Sequence, residues 1–515
     1  MMRNAARRIA VPRPTWPADA APWSPRVRAA WPHAEPGYAA PGAHPLADAA
    51  ASAALARRAR EIDGAFARIE PALAALALRQ FEAGFAARAR AELVEAFGVE
   101  VAEAELAADW ARPLAAGRLY ARCAIGTFAR LVAREFDRSI ARLHEGEDAA
   151  TLIRRWGFHA IDITPCADGR LAGVVDYVLR VPPAVVAFRK SHAGAMFDVE
   201  QSLRHWETVE LRRWREGRPN PASEPTRYLK LGVYHFSSRD PRREGCAAHG
   251  SDDTRAAEAL LVRLREFAQA VEVSHCCGAQ VATLLVGVDT DTDAIRVHVP
   301  DAAGRMSATR YVCNRTLYDE TAALAREAAK EAIRTAVAEC AGVSADDPAT
   351  EGMRWFCGYL LKNNLAQVDA VRRAFGGPYP DAGHTERLIV AGDGIDDVQL
   401  RNLAFQAQTE TAEEAAFDLD VGVKILEGLH APRGLAIPVL AHFEYDARMP
   451  GAQERAAARA RRLKAAIEAR FADRVAAGRL LVQAAIRAAG EPRLQLLDLQ
   501  ADPRGCGCTH TESHR

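Results

Sequence analysis

The chain is organised around one stretch of sequence, FHAIDITPCADGR, at residues 158–170. Its first part, Phe158–Thr164, has the pattern of a short strand, and a segment of helical pattern ends just before it. A glycine-containing loop follows, with a thiol, a carboxylate and a guanidinium at Cys166, Asp168 and Arg170. Because alternate side chains of an extended segment point the same way, these three groups are expected on one side of the chain. They predict a chemical site only if partner residues lie downstream.

The composition predicts an ordinary globular protein of roughly two to four domains. Hydrophobic residues make up 49% and charged residues 26% of the 515 residues. The 67 basic and 67 acidic residues give a net charge of zero, so the chain lacks the excess of positive charge typical of nucleic-acid-binding proteins. No apolar run is long enough to span a bilayer, and the N-terminus lacks the apolar segment of a secretory signal. The ten cysteines, spread singly or in adjacent pairs, are more typical of a reducing, cytoplasmic compartment than of a disulfide scaffold.

The two ends of the chain have the composition of tails. Residues 1–46 are rich in proline, which removes backbone donors, and are expected to be disordered. Trp16, Trp23 and Trp31 lie among arginines in this tail. It is either inert or a docking segment that folds on a partner, since Trp and Arg are preferred anchors of interfaces. Residues 501–515 are expected to form a flexible tail.

Between the tails, the periodicity predicts three domains of a mixed α/β protein. Residues 47–150 carry apolar side chains at helical spacing and are expected to form an all-α domain. Residues 151–385 alternate apolar strands with helices, which favours an α/β domain with a covered, largely parallel sheet. The strands are predicted at 158–164, 185–188, 228–234 and 281–288, and the helices at 254–271, 319–341 and 349–375. The same mixture begins again at 386.

Short local matches indicate that residues 386–500 are a second copy of the preceding domain. Phe197–Glu200 is matched by Phe417–Asp420, and Tyr234–Phe236 is matched by Ala441–Phe443. In the same register, the Asp-Gly pair within 391–395 takes the place of the opening loop, but without its cysteine and arginine. The second copy is therefore predicted to be degenerate and unable to hold the same site.

Two residues downstream complete a possible metal site with Cys166. His235 lies at the end of a predicted strand, and Cys246 lies in the loop before a helix that begins near Asp252. Ligands converge at strand ends in α/β sheets, and a catalytic zinc site uses three thiolate or imidazole ligands. The helix N-terminus after Cys246 would favour its thiolate form. Taken alone, His235 and Cys246 could equally be a structural histidine and a buried apolar thiol.

Two other groups of residues that could bind metal are not predicted to form functional sites. Asp289, Asp291 and Asp293 occupy the first three acidic positions of a calcium loop, but the glycine and the closing glutamate are missing. A solvated turn is predicted there. Cys506-x-Cys508-x-His510 lies in the C-terminal tail and is interpreted as part of that tail.

The constellation resembles a known family. Cys-x-Asp-x-Arg, followed by a strand-end His and then a Cys, resembles the β-carbonic anhydrases. In ordinary members of that class the last two ligands are two residues apart, whereas ten residues, Phe236–Gly245, separate them here. With the helical N-terminal domain and the degenerate second copy, this spacing is similar to that of the carboxysomal shell carbonic anhydrases, a divergent branch once called the epsilon class. The likeness covers nearly the whole chain, including Val286–His298.

The resemblance implies a lyase that reversibly hydrates CO2 to bicarbonate inside the carboxysome, a bacterial cytoplasmic microcompartment, and so supplies CO2 to Rubisco. It implies one Zn2+ per chain, bound by Cys166, His235 and Cys246. Asp168 is expected to accept a hydrogen bond from the attacking hydroxide, and Arg170 to keep Asp168 ionised and oriented.

A proton must also leave the site, and an imidazole with a pKa near 6.5 suits that transfer. His384, in the segment 381–386 at the junction of the second and third domains, is the candidate shuttle. His249 is nearer in sequence to Cys246 and competes with it.

The resemblance further implies a homodimer or higher homo-oligomer that associates with carboxysome shell proteins, with Rubisco or with both. The N-terminal tail is where we expect that contact. Two other functions stay open at this point: a zinc hydrolase of the same scaffold acting on a CO2 analogue such as CS2 or COS, and a structural protein stabilised by zinc. A purely structural site would have no use for the Asp168–Arg170 pair.

Overall fold

A computed structural model describes most of the chain between its two tails. The described residues are 43–106, 114–142, 149–182, 185–219, 226–275, 281–344, 352–380, 383–395, 398, 400–408, 411 and 416–498. Residues 1–42 of the predicted N-terminal tail, 1–46, and the predicted tail 501–515 lie outside them. Residues 43–46 are packed against the body of the protein: the buried His44 ring lies 2.9 Å from Thr321 Oγ1 and stacks on Tyr318.

The N-terminal region is helical, as predicted. Its elements are α1 (Ala49–Ala67), α2 (Ile69–Leu78), α3 (Phe85–Phe97), α4 (Glu103–Leu106) and α5 (Ala116–Arg142). The side chain of Asp48 caps α1 by accepting the Ala51 N–H at 2.9 Å. Gly98, with φ +69°, ends α3 in the left-handed conformation that favours glycine. None of the described helices has both the length and the apolar character needed to cross a bilayer.

The first sheet has six strands, and helices α7 and α8 connect its parallel strands. The elements are α6 (Ala149–Arg155), β1 (Phe158–Pro165), β2 (Val186–Arg189), α7 (Val199–Arg215), β3 (Arg227–Phe236), α8 (Asp253–His275), β4 (Val281–Asp289), β5 (Ile295–His298) and β6 (Val312–Cys313). The strand order is β2-β1-β3-β4-β5-β6, with the first four parallel and the last two antiparallel. Helices cover the parallel part, which explains why every residue of β3 after Arg227 is buried. The predicted α/β class is confirmed.

Three further helices follow this sheet: α9 (Asn314–Thr321), α10 (Arg326–Ala341) and α11 (Met353–Phe375). The prediction of one continuous helix over 319–341 is wrong. The chain leaves the helix after Thr321, and Ala325 is extended, with ψ 152°. The alanine-rich sequence would allow the helix to continue, so the break comes from tertiary packing. The two shorter helices bury separate faces, one around Leu317 and the other around Ile333.

The second sheet repeats the connectivity of the first. Its elements are β7 (Leu388–Gly392), β8 (Ala404–Ala407), α12 (Ala416–His430), β9 (Ile437–Tyr445), α13 (Ala452–Arg470), α14 (Ala472–Ala476), β10 (Leu480–Ala488) and β11 (Gln495–Leu496). The order β8-β7-β9-β10-β11 matches β2-β1-β3-β4-β5, again with four parallel strands and an antiparallel fifth. Helices α12 and α13 take the places of α7 and α8. This is the arrangement expected of a second copy.

The second sheet lies against the loop that follows β1. The Asn402 N–H donates to the Gly169 carbonyl at 2.7 Å, and the Gln406 N–H donates to the Ala167 carbonyl at 3.4 Å. Ala167 belongs to the apolar core of the second sheet rather than to that of the first. The loop that carries the predicted dyad is therefore enclosed between the two copies.

A buried ion cluster joins the helical region to the segment that follows the same loop. Arg58 of α1 lies 2.9 Å from Glu135 of α5 and 2.7 Å from Asp176. Asp176 belongs to Val174–Leu179, a single π-helical turn that begins four residues after Arg170. The side chains of this cluster are at most 9% exposed, so removal of the cation would leave charged carboxylates with little hydration.

Substitution Arg58→Met should lower the free energy of unfolding by about 3 kcal/mol, because it keeps the apolar stem but removes the cation from the buried Asp176 and leaves Glu135 with Arg134 alone. Urea unfolding followed by tryptophan fluorescence measures the loss. Arg79→Met is the matched control: the Arg79–Glu92 pair is exposed and screened by water, so it should change the stability far less. Equal effects of the two substitutions would contradict the importance of the buried cluster.

Candidate metal centre

Two loops and the end of one strand bring the predicted metal ligands together at one end of the first sheet. Cys166 comes directly after β1, and its N–H donates to the Val233 carbonyl of β3 at 3.0 Å. His235 lies next to the last residue of β3. Cys246 ends the loop after β3, where its carbonyl accepts the N–H groups of His249 and Ser251. The carboxyl ends of parallel strands β1 and β3 thus position all three side chains.

The donor atoms have the spacing that a small metal ion needs. One ligand atom from each of Cys166, His235 and Cys246 lies within 4.8 Å of the other two, and the two Sγ atoms are 4.0 Å apart. Two sulfur ligands at about 2.3 Å from a tetrahedral zinc ion would be about 3.8 Å apart. The three residues are only 6%, 1% and 2% exposed, and the buried His235 Nδ1 has no hydrogen-bond partner in the described part of the chain. This donor set fits Zn2+.

The local charges favour a thiolate at Cys166. The hydrogen bond with Cys246 holds the pKa of the Cys166 thiol well below its usual value, although burial opposes that shift, and the neighbouring His235 adds to it. The same hydrogen bond and burial raise the pKa of Cys246. A short 3-10 turn, Ala247–His249, follows Cys246, and α8 begins only at Asp253. The help expected from the N-terminus of α8 is therefore replaced by a backbone hydrogen bond from Ala248 of this turn, which lowers the pKa of Cys246 less than burial and Cys166 raise it. A cation in the site would have to stabilise the second thiolate.

Asp168 and Arg170 form the predicted dyad, with the carboxylate accepting three hydrogen bonds. Arg170 Nε donates to Oδ1 at 2.9 Å, Arg170 Nη2 donates to Oδ2 at 2.8 Å, and the Arg170 backbone N–H donates to Oδ1 at 2.9 Å. The expected alternation along an extended chain is wrong. Gly169–Leu171 form a 3-10 turn that Asp168 caps, and this turn directs the guanidinium back onto the carboxylate.

Loops from two other strands hold the arginine of the dyad. Arg170 Nη1 donates to the Glu244 carbonyl at 3.0 Å, in the loop after β3, and lies 3.5 Å from Thr290 Oγ1, just after β4. Burial opposes the charge on Arg170, but Asp168 raises its pKa. Burial likewise opposes the charge on Asp168, but Arg170 and then His235 and His384 hold its pKa well below the usual range. Asp168 is thus an ionised acceptor in a site almost without water.

The predicted solvated turn after β4 is in fact buried and helps to fix these loops. Asp289, Asp291 and Asp293 are at most 3% exposed. Asp291 accepts hydrogen bonds from the Ser237 hydroxyl and the Arg239 backbone N–H, both just beyond His235. The carboxylates satisfy backbone donors of neighbouring loops, which a sequence motif cannot reveal.

Asp168 lies between the metal-ligand cluster and the predicted proton shuttle. Its Oδ2 is 3.2 Å from His235 Nε2 on one side and 3.9 Å from His384 Nε2 on the other. The His384 side chain is 11% exposed, more than Asp168 at 8% and His235 at 1%. Exposure thus rises from the metal ligand through the carboxylate to the second imidazole.

The competing shuttle, His249, is less well placed. Its Nε2 lies 3.3 Å from the Gly194 carbonyl, and burial lowers its pKa. A ring whose N–H donates to a backbone carbonyl has one nitrogen engaged there. The structure brings His384, rather than His249, into contact with the dyad.

Several residues of the site were not predicted from the sequence. Glu386 Oε1 lies 2.7 Å from His384 Nδ1. Glu244, Thr290 and Asn402 hold the dyad loop through hydrogen bonds that connect distant parts of the chain. Only Glu386 had a local clue, because it lies two residues from His384 in an extended segment and could share its side of the chain.

The corresponding region of the second copy has no thiol ligands. His442 on β9 takes the place of His235, and Asp393 follows β7 where Cys166 follows β1. His442 Nδ1 lies 2.9 Å from the Asp393 carbonyl, and an Asp393 carboxylate oxygen accepts the Glu444 N–H at 2.9 Å. These contacts tie backbone together instead of forming a metal cluster.

Three family models match the chain in succession. They are the Carboxysome Shell Carbonic Anhydrase N-terminal model at residues 44–136, the catalytic-domain model at 148–384 and the C-terminal model at 385–497. Together they cover most of the chain.

Curated relatives match over most of their own length as well. The carboxysome shell carbonic anhydrase of Halothiobacillus neapolitanus is 45% identical over 439 residues, which are 83% of this chain and 84% of that protein. The protein of the same name from Parasynechococcus marenigrum is 45% identical over 441 residues, 85% of this chain and 75% of the relative. That of Hydrogenovibrio crunogenus is 40% identical over 427 residues, 82% and 80% of the two chains.

The metal content tests the ligand cluster directly. The purified protein should contain about one zinc ion per chain, and Cys166→Ser should reduce the content at least tenfold, since a neutral hydroxyl is a poor zinc ligand. Mass spectrometry of the metal content measures both. Cys340→Ser, at a partly exposed cysteine outside the cluster, should keep the wild-type content. An unchanged zinc content in the Cys166 variant would contradict the assignment of this ligand.

Proposed function

Because the chain belongs to the carboxysome shell carbonic anhydrase family, we propose that it is a zinc-dependent carbonic anhydrase that interconverts CO2 and bicarbonate inside a carboxysome. The observation that carries this proposal is the contact between the Cys166–His235–Cys246 cluster and the buried Asp168–Arg170 pair. A zinc site that only stabilised the fold would have no need of an ionised carboxylate beside it.

The three ligand residues would hold the metal at the carboxyl ends of β1 and β3. Zinc bound there supplies Lewis-acid chemistry that lowers the pKa of a water molecule to roughly 7. Three protein ligands leave one position of a tetrahedral ion for that water. Two thiolates donate more negative charge than histidines would, so groups next to the cluster are needed to assist the reaction.

Asp168 is the first such group. Its Oδ2 lies 3.2 Å from Nε2 of His235, one of the residues that would hold the metal, and its ionised state makes it a hydrogen-bond acceptor only. It can therefore orient the nucleophile by accepting its hydrogen, which directs a lone pair at the carbon of CO2. Arg170 keeps the carboxylate charged and in place, so the orientation is set before the substrate arrives.

His384 is the second group, and its role is to move a proton away from the site. Hydration of CO2 to bicarbonate releases one proton per turnover, and that proton must reach buffer before the next cycle. Nε2 of His384 is 3.9 Å from Asp168, and the ring is partly exposed. The imidazole can accept the proton at Nε2 and release it to solvent.

The family name also supports the carboxysome as the compartment in which this reaction takes place. CO2 formed inside a carboxysome would be available to Rubisco, so we propose that the dehydration of bicarbonate to CO2 is the physiological direction. We further propose that the active form is a homodimer or larger homo-oligomer, and that residues 1–42 bind a shell protein or Rubisco.

Stopped-flow CO2 hydration on the purified protein tests the activity. The wild-type protein should be active, Asp168→Ala should lower kcat/KM by about 100-fold, and Cys166→Ser should abolish zinc-dependent hydration. Cys340→Ser is the matched control and should keep full activity. Full activity of the Cys166 variant would overturn the zinc assignment. If CS2 or COS were hydrolysed and CO2 were not hydrated, the related hydrolase would be the correct function instead.

Deletion of residues 1–42 tests the role of the tail and spares His44, which is packed against α9. The shortened protein should keep its kcat/KM, because the metal centre lies far along the chain, but it should no longer be packaged into carboxysomes or bind Rubisco. Co-purification with carboxysomes and a Rubisco pull-down measure the loss. Normal packaging and normal Rubisco binding would contradict the docking role.

A further inference from the structure

We propose that Glu386 is a positioning residue for proton transfer: its carboxylate holds the His384 ring with Nδ1–H toward Glu386 and Nε2 toward Asp168. This inference rests on the proposed carbonic anhydrase function and goes beyond it by assigning a role to a residue outside the metal-ligand cluster and the dyad. Glu386 is neither one of the three metal-ligand residues nor part of the dyad, and its carboxylate contacts the ring of His384, so it acts through His384.

The contact between the two side chains is short and protected from water. Glu386 Oε1 lies 2.7 Å from His384 Nδ1, and Glu386 is 1% exposed. Its other oxygen, Oε2, is buried and has no hydrogen-bond partner among the described residues. Burying a carboxylate with so few hydrogen-bond partners costs free energy unless a nearby cation interacts with its charge. His384, which becomes a cation when it accepts a proton, lies next to it.

The dyad loop is shaped to admit this carboxylate. A Cβ atom on Gly169 would lie 2.4 Å from Glu386 Cγ and 2.6 Å from Glu386 Oε1, so no larger residue fits between Asp168 and Arg170 without moving Glu386. The Asn402 N–H holds the Gly169 carbonyl at 2.7 Å, which fixes the loop at this distance. Glycine is needed here because of the close approach of Glu386.

The hydrogen bond decides which ring nitrogen faces the reaction. An ionised carboxylate accepts but cannot donate, so Nδ1 of His384 must carry the hydrogen. In the neutral ring Nε2 then carries the lone pair, on the side of Asp168 at 3.9 Å. The ring accepts one proton at Nε2, becomes an imidazolium and later gives that proton to buffer.

The surrounding charges favour this cycle. Burial alone would lower the pKa of His384, but Glu386 and then Asp168 raise it above the ordinary value, while Arg170 opposes them. Glu244, whose own pKa is raised by burial, also faces this group of residues. Glu386 thus stabilises the imidazolium that forms during transfer.

A second metal ion is a poorer interpretation of the same residues. Ligand atoms of Asp168, His384 and Glu386 lie within 4.8 Å of one another. Both oxygens of Asp168 are already engaged by the guanidinium of Arg170. A divalent cation would therefore sit against a fixed positive charge and compete with a bidentate ion pair.

The C-terminal region would then help to orient the proton acceptor. The boundary between the catalytic and C-terminal family models falls between residues 384 and 385, so His384 and Glu386 come from opposite sides of it. The second copy has no thiol ligands of its own, but its first residues would orient the proton acceptor of the catalytic copy.

The test compares Glu386→Gln with wild type by 18O exchange, which measures CO2–bicarbonate interconversion separately from the proton-dependent release of water. Glutamine keeps the size of the side chain but presents an oxygen or an NH2 group without charge. We expect kcat and the water-release rate to fall about tenfold, with kcat/KM and the interconversion rate unchanged. Added imidazole buffer should restore kcat, because it can replace the internal shuttle.

Two further measurements do not depend on the rate at the metal. In protein labelled with 15N-histidine, the ring shifts of His384 should report the Nδ1–H tautomer in wild type and a mixture in Glu386→Gln. The pKa of His384 should fall by about one pH unit in the variant. In the background of His384→Ala, adding Glu386→Gln should leave kcat unchanged, because Glu386 acts only through His384.

Glu210→Gln is the matched control. Glu210 forms another glutamate–histidine contact, a partly buried one with His159 at the start of β1, and its substitution should leave all these quantities unaltered. An equal fall of kcat and kcat/KM without buffer rescue, an unchanged His384 tautomer, or an additive loss in the double variant would each overturn the positioning role. If the wild-type protein did not hydrate CO2 at all, the proposed function would fail instead.

Discussion

The structure around the metal centre depends on the buried ion pair between Asp168 and Arg170. Two charged groups are stable in such a buried site only if their remaining hydrogen-bond donors and acceptors have partners. Otherwise the free-energy cost of removing the charges from water exceeds the attraction between them. The surrounding loops meet that need: Glu244 and Thr290 accept from the guanidinium, and a 3-10 turn supplies a backbone N–H to the carboxylate. The carboxyl ends of β1, β3 and β4 are thereby fixed relative to one another. Cys166, His235 and Cys246 meet within 4.8 Å because the loops that carry them are part of the same network.

The second copy contributes to this network without a metal-ligand cluster of its own. Its strand order repeats that of the first copy, but its thiol positions are lost, and what remains is a surface that closes over the dyad loop. Asn402 and Gln406 bond to the backbone of that loop, and Ala167 is buried in the core of the second sheet. The second sheet thus supports the dyad loop of the first. This explains in physical terms why a half without ligands still packs so closely on the active one.

Much of the fold followed from the sequence, because strand and helix patterns in the first α/β unit are strong. The structure has β1, β3, β4, α8 and α11 close to their predicted positions. The short sequence matches between the two halves agree with the shared strand order of the two sheets. The break before Ala325 could not be predicted, since alanine-rich sequence favours a helix and only packing interrupts it. The ligand cluster was predicted because Cys166, His235 and Cys246 have distinctive chemistry at strand ends. Glu386 and the buried aspartates after β4 were missed or misread, because their partners are distant in sequence and their role is set by burial.

We propose that one zinc ion binds to two thiolates and one imidazole beside an ionised aspartate. Zinc K-edge X-ray absorption on the purified protein tests it most directly, since it reports the atoms bound to the metal. We expect two sulfur neighbours at about 2.3 Å and one nitrogen at about 2.0–2.1 Å, with an oxygen completing the shell. A shell without sulfur, or one with a single sulfur, would contradict the assignment of Cys166 and Cys246.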